Sequence, residues 1–489
     1  MAAIITEKFR VHNAKQFKED FGESASSTYV FIGRSHPWTV DTSPPTPVNG
    51  TSEEVDAWSD MTALKKVGSA DVSHGLTRYD WTTGTKYDEY AHDYSATNTS
   101  PATASTSLFS SRFYVMTDEY HVYKCIRTGR NTSGAAVEST VKPTGTSATA
   151  LVETSDTGAG TGRGYIWKYM YTVTASDTIK FVTNDFIPVK TIGAQGEVDG
   201  DSGGLGTTAS DDGSSQWDVE NSAVDGGVHH ANVTAGGSGY TNGDGAYENV
   251  HIVGDGSGGR ATVHVSGGAV THVTITTVGT GYKIAQIIIA TTTQGLSGIG
   301  SGSGAVVKCI VSPQTGHGAD PVQELGGNHV IVNSRLEFGE GGGDFPTDND
   351  FRRIGLVQDP FSSGTTVASA ASLAAYSQMT VSSASNLSVD DIIRSASADA
   401  SGVANSRIVS ITGNVVSHLP IADSAGGFTN FAAGNDVYLG SSDEGSVSSV
   451  NAAFPELVKH SGQILYIENR GAVTRAADQI EDIKLIIEM

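Results

Sequence analysis

Arg34, Ser35 and His36 put a base, a hydroxyl and an imidazole side by side in the string FIGRSHPW, the residue types of nucleophilic catalysis. Neighbours in an extended segment point to opposite faces, whereas a catalytic triad gathers from distant positions. Pro37 and Trp38 mark the segment instead as a rigid loop with an aromatic anchor. Gly254, Gly256 and Gly259 have the spacing of a dinucleotide-binding glycine loop. A phosphate there would need a helix N-terminus facing it, and residues 260–265 alternate as a strand. Nor do these glycines repeat with the regularity of calcium-binding nonapeptides. Asp244 and Asp255 are the carboxylates in that stretch that a cation would use.

His229 and His230 are adjacent, and side chains one residue apart along a strand cannot both face one metal. Solvated histidines are expected. Cys125 and Cys309 are too few for a disulfide framework or a four-ligand zinc site and are expected as buried free thiols. A paired-carboxylate glycosidase site is unconstrained, because the sequence gives no separation between carboxylates. No catalytic, cofactor-binding or metal-ligating residue is assigned, and no cofactor or small-molecule substrate is expected.

The elements that would position such residues are mostly strands. Hydrophobic residues make up 38% of the 489, and 59 glycines with many Ser and Thr favour short strands joined by turns. A chain of this length divides into more than one domain. Its formal charge of −23 repels DNA, RNA and anionic head groups, so no nucleic-acid partner is expected. The longest apolar run, residues 284–290, is too short to span a membrane, and residues 1–9 lack the apolar run of a secretory signal. Assembly in a cytoplasm, with no membrane partner, is the expectation.

Two helices are predicted near the start. One runs from Asn13 with Gln16 as its capping partner to Gly22; the other runs from Thr51 with Glu54 to Gly68, burying Val55, Trp58, Met61 and Leu64. Beyond them the period falls to two at residues 120–126, and residues 165–173 (YIWKYMYTV) are apolar on both faces, as in an interior strand.

The character changes at about residue 191. A glycine-rich β insertion over 191–329 carries a weak duplication: GSGY at 237–240 recurs as GTGY at 279–282, and GDGSGGRATVHV at 254–265 recurs in outline as GSGSGAVVKCIV at 300–311. A Ser/Ala-rich small β module is expected over 361–454. Residues 330–360 and 455–489 return to the aromatic character of residues 1–190, so a discontinuous core with two insertions is expected. In the closing strand Ile483, Leu485, Ile487 and Met489 share a face and should pair with a segment distant in sequence.

Taken in order, FIGRSHPW (31–38), EVDAWSDM (54–61), RYDW (78–81), GYIWKYMYTV (164–173), TNDFIPV (183–189), DFRRIGLVQDP (350–360), HSGQILYIENR (460–470) and the segment from Asp478 resemble one family. It is the baseplate wedge subunit of T-even-type contractile bacteriophages known as gene product eight. The resemblance implies a mainly β, layered β-sandwich core with a few short helices and a homodimer. Its implied partners are the other baseplate wedge proteins, and its implied place is the virion tail. The function it implies is a non-enzymatic scaffold of the baseplate wedge in tail assembly and contraction. The alternative is a β-rich tail adhesin or tailspike-like protein that binds or cleaves host polysaccharide.

Overall fold

A computed structural model of the chain describes residues 4–195, 210–241, 246–336, 347, 349–476 and 479–489. The fold is mainly β, as the composition requires, with several sheets, a small closed barrel and short helices. It divides into two compact units, one made of Met1–Lys18, Ser73–Ile331 and Ile486–Met489, the other of Glu19–Val72 and Val332–Leu485.

In the first unit the strand Ile166–Thr172 lies between His121–Arg127, itself paired with Tyr114–Met116, and Val152–Glu153, so the YIWKYMYTV run is the interior strand its two apolar faces predicted. One face carries Val122, Met170 and Tyr171 against Phe113, Ile187 and Val322. The other carries Tyr123, Cys125, Trp167 and Tyr169. Residues 228–311 bury a cluster of their own, drawn from Val228, Tyr240, Val263, Val273, Tyr282, Leu296, Cys309 and others.

The duplication in that segment is visible in the structure. Gly237 and Gly279 both have positive φ, 64° and 66°, a conformation that side chains rarely tolerate. Ser238 pairs with Ser303, and Thr280 bridges to Ser257. The Tyr240 hydroxyl accepts from the Ala305 amide at 3.2 Å, and the Tyr282 hydroxyl accepts from the Gly259 amide at 3.2 Å. Each copy of the Gly-x-Gly-Tyr turn thus packs on the glycine-rich strand of the other repeat.

In the second unit a five-stranded antiparallel sheet is ordered Ser372–Ala374, Met61–Val67, Thr28–Gly33, Asn349–Gln358, Gln463–Arg475. Tyr29, Phe31, Leu64, Val357 and Leu373 pack with Ala57 and Trp58 of the helix Thr51–Asp60. A six-stranded barrel spans Ser377–Val381 to Ser442–Val450. The first of these strands pairs with Val415–Ile421 and with Ser442–Val450, which closes the ring and removes the exposed edges.

Two helix expectations are corrected. The first helix is Glu7–Asp20, with the Thr6 hydroxyl accepting from the Phe9 amide at 3.3 Å, so Asn13 and Gln16 lie inside it rather than at its start. The second ends at Asp60. Met61 and Leu64 belong to the following strand Met61–Val67, where a register shift opposite Ile32 and Gly33 lets both enter one buried cluster. The closing strand Glu481–Glu488 is hydrogen-bonded to His329–Leu336, with Ile483 and Leu485 buried and Asp482 paired to Arg335 at 2.8 Å.

Candidate functional site

Arg34, Ser35 and His36 do not form a catalytic group. Arg34 holds a positive φ of 59° and lays its guanidinium over the Trp38 ring at 3.6 Å while pairing with Asp60 at 3.2 Å. Ser35 is buried. Burial pushes His36 down to about 4 against the pull of Asp60, so its imidazole is neutral near pH 7. No hydrogen bond joins Ser35 to His36 among the described residues.

What the segment does instead is anchor an ionic network within the second unit. Arg352 of DFRRIGLVQDP donates to both carboxylate oxygens of Asp41 at 3.0, 3.0 and 2.9 Å, to Asp350 at 2.9 Å and to the Ser35 carbonyl. The hydrogen bonds from Arg352 hold the Asp41 carboxyl below the usual carboxylate range. Arg353 reaches Glu53 at 2.5 Å and Asn469 at 2.9 Å, and stands 5.6 Å from the Trp38 ring. Trp38 donates its indole N–H to the Arg470 carbonyl at 3.0 Å. Gly355 is required by close approach, since a Cβ there would lie 2.1 Å from the Tyr466 carbonyl oxygen and 2.6 Å from the Phe31 ring. Strings at 31–38, 54–61, 350–360 and 460–470 therefore meet in one network of bidentate and stacked arginines, which fixes geometry rather than activating a nucleophile.

The remaining strings meet in the first unit. Arg78 of RYDW donates to the Thr183 carbonyl at 2.8 Å, and the Tyr171 hydroxyl donates to the Pro188 carbonyl at 2.9 Å. On the adjacent strands Lys124 stands in register with Lys168, both buried. Lys124 pairs with Glu324 at 2.7 Å and lies 4.1 Å from the centroid of the Tyr90 ring. Burial lowers the Lys124 ammonium against the pull of Glu324, and lowers Lys168 to about 8. Glu324 also accepts from the Gly318 amide at 2.6 Å. The trace of this cluster in the sequence is a single lysine in the middle of each of two strands rich in aromatic and aliphatic residues.

His229 and His230 turn to opposite sides, as adjacent strand residues must. The His229 ring meets His317 at 4.9 Å, whereas His230 bonds Asn232 at 2.8 Å. The expectation that they are solvated is corrected: His230 is buried, His229 is largely so, and burial pushes both to about 4. Gly254, Gly256 and Gly259 precede the strand Arg260–Ser266 rather than a helix, and Gly256 and Gly259 lie against Tyr282. Asp255 accepts from the amides of Lys283 and Ile284 at 2.9 Å each, which accounts for its carboxylate locally. Asp244 lies outside the described residues. Cys125 and Cys309 are free, buried thiols, pushed up by burial, Cys309 to about 12. Among the described residues no group of three or more His, Cys, Asp or Glu is placed to hold a metal ion, and no helix is long and apolar enough to cross a membrane.

Comparison with known proteins bears out the resemblance over the first part of the chain. The family model described as "Bacteriophage T4, Gp8" matches residues 3–193. The curated baseplate wedge protein gp8 of Enterobacteria phage T4 is 25% identical over 211 residues, covering 38% of this chain. The chain spans 60% of the length of that relative. The match of the family model stops beside the composition change at residue 191, and the strings at 350–360 and 460–470 lie beyond it.

Proposed function

We propose that this chain, whose residues 3–193 match the Gp8 family model, is a non-enzymatic structural component of a phage tail baseplate wedge. It would act as a homodimeric scaffold that binds other wedge proteins in the virion tail, assembled in the host cytoplasm. The family match is the observation that carries this reading. Support comes from the arginine network around Trp38 and the Lys124–Glu324 cluster, whose groups are spent on one another. Such networks fix geometry more than they add net stability. The segments 191–329 and 361–454 are proposed as insertions into this scaffold.

Co-expression with the other wedge proteins of its phage tests the reading. A stable complex on size exclusion, with the free chain a dimer by light scattering at micromolar concentration, is expected. Failure to join any wedge protein, together with a monomeric mass, would overturn it.

A further inference from the structure

Within the first unit, Arg127, Arg130, Arg163 and Lys308 line a cleft of about 350 Å³ whose lining contains a single carboxylate, Glu89. That local excess of cations sits in a chain of formal charge −23. Glu89 is already engaged: it takes Arg130 at 2.9 Å, the Thr128 amide at 3.0 Å and the Asn232 amide group at 2.5 Å. Burial works against its ionisation, yet Arg130 and its other partners hold it below the usual carboxylate range. Arg127 pairs with Glu153 at 2.6 Å and Lys308 with Asp93 at 2.6 Å.

Arg163 is different. Its guanidinium donates to the Asn131 and Thr132 carbonyls at 3.1 and 3.3 Å, and among the described residues it has no carboxylate within ion-pair distance. Burial and the neighbouring Arg127 both push its ionisation down. Beside it the His264 and His272 rings stack at 4.0 Å. Burial brings His272, the one of the two that lines the cleft, to about 4, so its ring contributes a hydrogen-bonding edge and no charge near pH 7. Asn98, Thr99, Thr234 and Thr271 add amide and hydroxyl groups to the wall.

We propose that this cleft binds a compact oxyanion carried on a polyhydroxylated body, the chemistry shared by a uronic acid and a sugar phosphate. Guanidinium forks suit planar or tetrahedral oxyanions, and an oxyanion would supply the counter-charge that Arg163 lacks. The cleft's volume is that of a small-ligand site. The amide and hydroxyl groups match sugar hydroxyls. Arg127, Arg130 and Arg163 come from the segment matched by the family model and Lys308 from beyond it; the proposal is argued from the cleft and not from the scaffold reading.

Calorimetric titration of the full chain at low salt with glucuronate, glucose 6-phosphate, glucose and inorganic phosphate tests it. Saturable millimolar or tighter binding of at least one sugar acid is expected, with glucose and phosphate at least about tenfold weaker. Whichever acid binds more tightly identifies the anion. Arg163→Gln should weaken that binding about tenfold or more with an unchanged melting temperature, Arg163→Lys should keep part of it, and Lys142→Gln, outside the cleft, should change nothing. Thr234→Trp, which fills the mouth without removing a charge, should block binding and serves if the arginine variants do not fold. No saturable binding by either acid, glucose or phosphate binding as tightly as the acids, or binding indifferent to both Arg163→Gln and Thr234→Trp would overturn the proposal.

Discussion

Lys124 and Glu324 form a 2.7 Å ion pair almost wholly out of water, although 200 residues of sequence separate them. A buried charge left without its partner is costly, whereas replacing both partners by apolar groups is often nearly neutral. Lys124→Met should therefore destabilise the protein by about 3–5 kcal/mol, and the double variant Lys124→Met, Glu324→Leu should recover most of that loss. Denaturant unfolding of the two variants measures the coupling. Equal losses in the single and double variants would show that the pair is not the cause.

The arginine network in the second unit depends on fork geometry, not only on charge. Arg352→Lys keeps the charge but cannot hold both oxygens of Asp41 and Asp350 together. It should lower the melting temperature by nearly as much as Arg352→Ala, on the order of several degrees. Scanning calorimetry of the two variants decides the point, and full rescue by lysine would contradict it.

Acid should weaken the fold before the carboxylates titrate. Burial lowers His229, His230, His272 and His418 to about 4 from an ordinary 6.5. Between those values the unfolded chain binds more protons than the folded one, so stability falls as pH falls through the window. Each such histidine contributes a slope of up to roughly 1.4 kcal/mol per pH unit. His418→Phe should flatten the melting-temperature profile between pH 6.5 and 4.5 relative to the parent protein. An unchanged slope would show that His418 is not part of it.

The two Gly-x-Gly-Tyr turns make a paired prediction. A Cβ at Gly302 would lie 2.4 Å from the Tyr240 ring, and one at Gly256 would lie 2.5 Å from the Tyr282 ring. Gly302→Ala and Gly256→Ala should each cost about 1–3 kcal/mol by overpacking. Tyr282→Phe should cost more than Tyr240→Phe, because the Tyr282 hydroxyl also donates to the Ile252 carbonyl at 3.0 Å. Equivalent urea midpoints for the two tyrosine variants would refute the ordering.

Much of this architecture is legible in local pattern, because strands announce themselves by period and turns by glycine. Among the repeated glycines, Gly237, Gly256, Gly279 and Gly302 each have a tyrosine ring within 2.8 Å of where a Cβ would sit, which is why the glycine spacing repeats with the tyrosines. Helix ends are less legible. Asn13 with Gln16 imitates a capping box inside a helix that Thr6 caps, and Met61 with Leu64 keeps the helical spacing of three although both lie in a strand with a register shift. The pairing within the ionic clusters is not legible, because Arg352 and Asp41 are 311 residues apart and only the folded sheet brings them together. Net charge misleads in the same way: a total of −23 conceals a cleft lined by four cations.

The scaffold reading is tested most directly by an electron cryo-microscopy reconstruction of the phage tail that carries this protein. Density for the chain is expected within the baseplate wedge, as paired copies in contact with other wedge proteins. Density confined to a fibre or spike tip, or absence of the chain from the assembled tail, would contradict it.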